Sequence, residues 1–288
     1  MYIKNTYRYK NVVEVERIHS GRYGKKTVPG ARVKPTPEEM EKVNERNCIK
    51  KLRRKIQANF DEGDLFLTLT YRRENRPDPA ESKKRIRYLL DRLRKTWKAH
   101  DDELKYIIVT EYMNVSIHHH LVLNDLADGT GAKKVNQFWK QYGGSNTKYL
   151  YEDGNYELLA AYLVKETNKS FREKGNPSKL RYSCSRNLVT PKAKTKIIER
   201  DDWPEEPRVP KGCCLDKQSL FNGVNKMGYR YQYYRLLKLD RKCRPNKVIT
   251  KSNPDFKEKK NGVKKRQNHH NKKRDAGHKK DGPQPDGN

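Results

Sequence analysis

The chain of 288 residues is poor in apolar side chains and poorer in acid than in base. Hydrophobic residues make up 33%, and no apolar run reaches the ~18 residues that suggest a membrane-spanning helix. A membrane partner is therefore not expected. The opening MYIKNTYRYK has no apolar core of the secretory kind, so the expected location is cytoplasmic. Cysteines number 5, at Cys48, Cys184, Cys213, Cys214 and Cys243, and no two of them form a CxxC pair. That spacing argues against a zinc knuckle or ribbon. An odd count without a secretory signal argues against a disulfide framework, which leaves reduced thiols. The adjacent Cys213-Cys214 pair has no partner ligands nearby in sequence, and no role is assigned to it. No GxxxxGK motif followed by Ser or Thr occurs, so the chain has no recognisable P-loop helicase.

What the chain has in excess is positive charge. Lys and Arg total 66 against 36 Asp and Glu, a net charge of +30. Such an excess favours a polyanion, because each neutralised phosphate releases condensed counterions. From Lys257 to Asn288 the sequence is almost wholly Lys, Arg, Asn, Asp, Gly, His and Pro. Too little apolar surface is available there to offset the entropy of ordering, so a disordered basic tail is expected.

Residues 1–35 read as an irregular basic arm with one strand at Val12–Val15, followed by a loop punctuated by Gly21, Gly24, Pro29 and Gly30. Thr36, Pro37 and Glu39 form a helix start with a capping box, and that helix is expected to run to about Phe60. It carries Lys50, Lys51, Arg53, Arg54 and Lys55, which suit either a solvated face or contacts to a DNA backbone. Leu65–Tyr71 is rich in strand formers. Asp78-Pro79 starts a second helix, whose Ile86, Leu89, Leu90, Leu93 and Trp97 share one face. Tyr106–Tyr112 and Ser116–Asn124 read as strands of a hairpin turning at Met113–Val115. A short helix follows around Val135, Phe138, Trp139 and Tyr142, then a strand at Thr147–Tyr151. Asn155 caps a helix over Tyr156–Ser170, and Lys179–Leu188 closes with a strand. Gly228–Leu239 suits a final strand or helix. From Leu65 the order β α β β α β α β predicts an α+β fold on an antiparallel sheet, helices mainly on one face.

The sharpest chemical signal is His118-His119-His120 inside an apolar strand. Alternation puts His118 and His120 on one face and His119 on the other. Paired imidazoles pack poorly in a core and suit one shared cation. Glu111 lies on the preceding strand, where a hairpin would bring it beside them. Two imidazoles and a carboxylate fit Mn²⁺ or Mg²⁺, with zinc as an alternative. On the next helix, Tyr162 has Lys165 at i+3 and Glu166 at i+4. A tyrosine oxygen can attack a phosphodiester and store the bond as phosphotyrosine. A core tyrosine among Leu158, Leu159 and Leu163 is the plainer reading of the same residue.

FLTLTY at 66–71, IHHHLVLN at 117–124 and YLVKE at 162–166 together resemble the three ordered motifs of the HUH endonucleases, the rolling-circle replication initiators. The whole chain is also similar to replication-associated proteins of bacterial mobile elements, including its SGRYG and NFDEGDLFLTLTY stretches. The resemblance implies an RRM-like sheet over about residues 60–190. It implies a structural or DNA-contacting role for the first motif, which makes Tyr71 an expected DNA contact. His118 and His120, with Glu111, would hold the divalent metal, Tyr162 would be the nucleophile, and Lys165 would position the phosphate. His119 departs from the pattern, since the family usually has a hydrophobic residue there. The implied partners are single-stranded or cruciform origin DNA, with a host helicase and polymerase completing replication. The implied division is a basic arm and helix (1–60), a nuclease domain (61–195), a C-terminal extension (196–250) and the basic tail (251–288). A relaxase or tyrosine transposase would share the site. A non-catalytic nucleic-acid-binding protein would share only the sheet.

Overall fold

The computed structural model of the protein describes residues 1–19, 36–112, 116–150, 156–171, 180–224 and 229–239. The loop expected around Gly21–Gly30, the turn at Met113–Val115, the Asn155 cap and the basic tail lie outside these described residues.

The middle of the chain builds one five-stranded antiparallel sheet. Its elements are β3 (Leu65–Thr70), α2 (Pro79–Ala99), β4 (Tyr106–Glu111), β5 (His118–Leu123), α3 (Gly131–Trp139), β6 (Ser145–Tyr149), α4 (Glu157–Phe171) and β7 (Ser183–Cys184). The spatial order is β6-β3-β5-β4-β7. The run β3-α2-β4-β5-α3-β6 in that order is the split βαβ arrangement, and it agrees with the α+β class expected from the sequence. The closing strand expected over Lys179–Leu188 is reduced to β7, two residues pairing with Ile107 and Ile108 of β4.

Alternation decides what each face of this sheet does. Leu65, Leu67 and Leu69 of β3, Ile108 of β4, and Leu121 and Leu123 of β5 pack against Leu89, Leu93 and Trp97 of α2 and against Val135 and Trp139 of α3. Burying each such side chain contributes about 1.5–3 kcal/mol. The start of α2 follows its sequence: Asp78 accepts a hydrogen bond from the Glu81 amide at 2.8 Å, with Pro79 at the first helical position. A close approach fixes the exit from α3. A Cβ on Gly143 would lie 1.9 Å from the Thr70 carbonyl oxygen, which also accepts the Trp139 indole N–H at 3.0 Å. The two crossover helices thus share a face, as expected, and α4 lies on the other.

A second five-stranded antiparallel sheet is built from the remaining segments. Its order is β8-β1-β2-β10-β9, with β1 (Tyr2–Arg8), β2 (Val12–Ile18), β8 (Lys194–Ile198), β9 (Cys213–Val224) and β10 (Arg230–Lys238). The irregular arm expected over the first residues is corrected here: residues 2–18 are a hairpin whose second strand is central in the sheet. Lys and Arg obscured the period-2 pattern because several of them face a neighbouring helix rather than water. That helix is α1 (Pro37–Asn59), which starts at the expected capping box, with Thr36 and Glu39 bonded reciprocally. Helix α1 packs along α4.

Candidate functional site

The face of the first sheet opposite α2 and α3 carries the residues that sequence singled out. In the β4–β5 ladder Glu111 is the direct partner of His118, and Val109 is the partner of His120. Both imidazoles and the carboxylate therefore project to one side. Glu111 is buried, His118 is half-buried, and His118 Nδ1 stands 4.0 Å from Glu111 Oε2. Hydroxyls hold the remaining ring nitrogens: Ser116 Oγ is 3.0 Å from His118 Nε2, and Thr68 Oγ1 is 3.1 Å from His120 Nδ1. Oriented imidazoles of this kind are common in metal sites, where a second partner fixes tautomer and ring plane.

Among the described residues no group of three or more His, Cys, Asp or Glu side chains is gathered closely enough to hold a metal ion. The donor types nonetheless fit one. Two imidazoles and a carboxylate, on adjacent positions of a paired ladder, suit a divalent cation with open positions.

His119 points the other way and has a different job. It is buried, with Tyr71 Oη 2.8 Å from Nε2 and Thr110 Oγ1 2.9 Å from Nδ1. Burial, reinforced by the neighbouring histidines, pushes its pKa down to about 3, so it is a neutral core residue. The departure from a hydrophobic residue at this position is accommodated by two hydrogen bonds rather than by a ligand role. Tyr71 is the other half of that contact. It is buried against His119 and Trp139, and burial raises its phenol pKa above the usual value. The expectation of a DNA contact at Tyr71 is thus corrected: its hydroxyl satisfies a core histidine.

Helix α4 brings Tyr162 over the histidine face. Its ring meets His120 edge-on with centroids 5.3 Å apart, and meets Phe66 edge-on at 6.2 Å. Lys165 is exposed one turn along, while the side chain of Glu166 lies outside the described residues. The other tyrosines of this region sit differently. Tyr156 is 2% exposed and Tyr149 is 58% exposed on β6, while Tyr151 lies outside the described residues. Phe66, Thr68 and Ser116 are site residues that the motifs did not single out. The alternation in LFLTLT held the signal for the first two, since Phe66, Thr68 and Thr70 must share the face opposite the leucines.

The cations of α1 divide in two. Lys51 is exposed, and Lys55 is partly buried with Nζ 3.5 Å from Cys184 Sγ. The other three are committed to carboxylates. Arg53 is 2% exposed and donates to Glu14 at 2.7 Å and to Tyr233 Oη at 2.6 Å, and also pairs with Glu157. Arg54 donates to Glu14 at 2.7 Å and pairs with Glu16 at 2.9 Å, and Lys50 meets Glu16 at 2.6 Å. For Lys50, Arg53 and Arg54 the expected backbone contact is therefore corrected. Their charges serve an internal network, because β2 presents Glu14 and Glu16 directly beneath the helix.

No helix among the described residues is long and apolar enough to cross a membrane. Neither a curated protein nor a solved structure matches the chain. Residues 64–170, less than half of the chain, match a family model for replication-associated proteins of the ORF2 type. Over the span that holds the histidine strand and most of the tyrosine helix, the chain is similar to replication-associated proteins, and this match supports a role in replication initiation.

Proposed function

We propose that the protein starts DNA replication by nicking origin DNA in single-stranded or cruciform form, through a transient phosphotyrosine. One observation carries the reading most: the Tyr162 ring lies 5.3 Å from that of His120, on the face where Glu111 and His118 are direct partners. The family match over residues 64–170 gives the reading its replication context.

In this reading Tyr162 Oη attacks a backbone phosphorus. The Tyr162 Oη–P bond forms and the P–O3′ bond breaks. The phenol proton is lost and the leaving 3′ oxygen gains one, leaving a 5′-phosphotyrosine and a free 3′-OH for a polymerase to extend. Attack by a 3′-OH on the phosphotyrosine reverses the step, so rejoining needs no nucleotide cofactor. Glu111, His118 and His120 would hold Mg²⁺ or Mn²⁺, which when bound supplies Lewis-acid polarisation of the phosphate oxygens. Thr68 and Ser116 keep the two imidazoles oriented. Phe66 and His120 wedge the Tyr162 ring, which limits the rotamers open to its hydroxyl and so favours an in-line approach. Lys165, exposed one helical turn away, places positive charge where a phosphate would dock.

The test uses single-stranded DNA of diverse sequence with Mn²⁺. Protein–DNA adducts that survive detergent are expected, and peptide mapping should put the nucleotide on Tyr162. Tyr162→Phe removes one hydroxyl and should retain fold and DNA binding while losing adduct and cleavage. An adduct on Tyr156 or Tyr149, or cleavage by Tyr162→Phe at the parent rate, would overturn the assignment.

A further inference from the structure

The second sheet carries a feature that the nicking reading does not use. Register places Lys196 of β8, Lys4 of β1 and Arg17 of β2 directly opposite one another across three adjacent strands. Directly opposed residues share a face, so three cations line up on one side of the sheet. Arg8 lies on that same face of β1, and Lys194 lies two residues from Lys196 on β8. Like charges directly opposite each other destabilise a strand pair. Lys4 registers the crowding: burial, then Arg17, Lys196 and Arg8, all pull its ammonium below the usual value. Arg17 is buried and donates to Gln232 at 2.9 Å and Tyr234 at 3.3 Å, so it contributes field rather than contact. Arg8, Lys194 and Lys196 are exposed and Lys4 is partly so. Among the described residues none of these four makes an ion pair with Asp or Glu.

We infer that Lys4, Arg8, Lys194 and Lys196 form a strip that takes the phosphate backbone of double-helical DNA, apart from the tyrosine site; this rests on the reading of the chain as a DNA-acting protein. Three arguments support it. Strand spacing of about 4.8 Å and a two-residue repeat of about 6.7 Å spread the cations over a patch the size of a few phosphates. An intervening phosphate converts the cross-strand repulsion into attraction on both sides. Finally, the aromatic side chains of this face, Tyr2 and Tyr234, are buried, so the strip offers no ring on which an unpaired base could stack. Backbone charge without a stacking platform suits a duplex rather than a single strand.

The experiment uses the full chain carrying Tyr162→Phe and a short blunt DNA duplex of arbitrary sequence. Affinity is measured against salt concentration, with and without the added changes Lys4→Gln, Arg8→Gln, Lys194→Gln and Lys196→Gln. Each lost phosphate contact should reduce the slope of log affinity against log salt by about 0.9, so loss of the strip should reduce it by about 3.5. The loss should be the same for unrelated sequences. The thermal midpoint should hold or rise, since repulsion is removed, which separates lost contacts from lost structure. An unchanged slope in a variant that stays folded would overturn the inference and leave the lysines as guards of an exposed edge strand. A Tyr162→Phe chain with all four cations intact that fails to bind duplex at low salt would overturn it too. Detergent-stable adduct formation on single-stranded DNA, which needs none of the four cations, tests the nicking reading separately.

Discussion

At the scale of single residues, the three consecutive histidines do two unlike jobs because a strand alternates. His118 and His120 face the tyrosine helix, whereas His119 is a buried neutral imidazole held by Tyr71 and Thr110. His119→Ala should therefore damage stability rather than chemistry. It empties a buried site and strands two hydroxyls, which costs on the order of 3–5 kcal/mol, read by chemical denaturation. His118→Ala should change stability by less than about 1 kcal/mol, since the ring is half-buried on the surface of the site. The contrast should reverse when Mn²⁺ is added. The ion should raise the thermal midpoint of the parent and of any folded His119 variant, but not of His118→Ala or His120→Ala. A shift retained by His118→Ala would remove it from the ligand set.

At the scale of elements, α1 is the joint between the two sheets. Arg53 reaches Glu14 on β2 on one side and Glu157 on α4 on the other, and Arg235 of β10 meets the same Glu157 at 3.0 Å. Buried pairs of this kind are worth little net against a hydrophobic replacement, but removing one partner leaves an uncompensated charge. Glu14→Ala should thus cost about 3–5 kcal/mol, because it abandons both Arg53 and Arg54. Adding Arg53→Met to it should recover part of the loss, which equilibrium unfolding of the single and double variants would read. The same network sets an acid limit. Burial pushes the Glu16 pKa up, but Lys50 and Arg54 outweigh it and hold it below the ordinary 4.5. A carboxylate depressed in the fold stabilises above its unfolded pKa and loses that contribution as pH falls through the folded value. Stability should fall as pH drops below about 4.5, and Glu16→Gln should flatten that part of the profile. An equally steep acid limb in Glu16→Gln would assign the loss elsewhere.

At the scale of the whole molecule, the middle of the chain builds the histidine sheet while the segments before and after it complete the other. Strand β2 is central between β1 and β10, so residues near the N-terminus hold together strands from beyond residue 190. Deleting residues 1–18 should unfold the second sheet rather than trim a loose arm. The expected result is loss of protection from hydrogen exchange across β8–β10, with protection in β3–β5 reduced less. Uniform retention of protection would show the strands of the second sheet to be self-sufficient.

The core sheet was legible in the sequence because its signals are local. Capping residues at Thr36 and Asp78, the LFLTLT alternation and the apolar stripe of α2 each act within a few residues of the chain. The same locality put His118 and His120 on one face and Glu111 beside them, since a hairpin register needs only neighbouring strands. What the sequence left open depended on distant partners. Basic strands at residues 2–18 become strands only when β10 and α1 supply pairing and carboxylate contacts from elsewhere. Five cations on one helix look alike in sequence, yet Glu14, Glu16 and Glu157 select Lys50, Arg53 and Arg54 for the interior and leave Lys51 outside. Tyr71 likewise turned inward because His119 required a partner. Sequence by itself determined the local elements and the chemistry they carry; the tertiary structure decided which charges are spent inside, because burial demands a partner that only folding brings near.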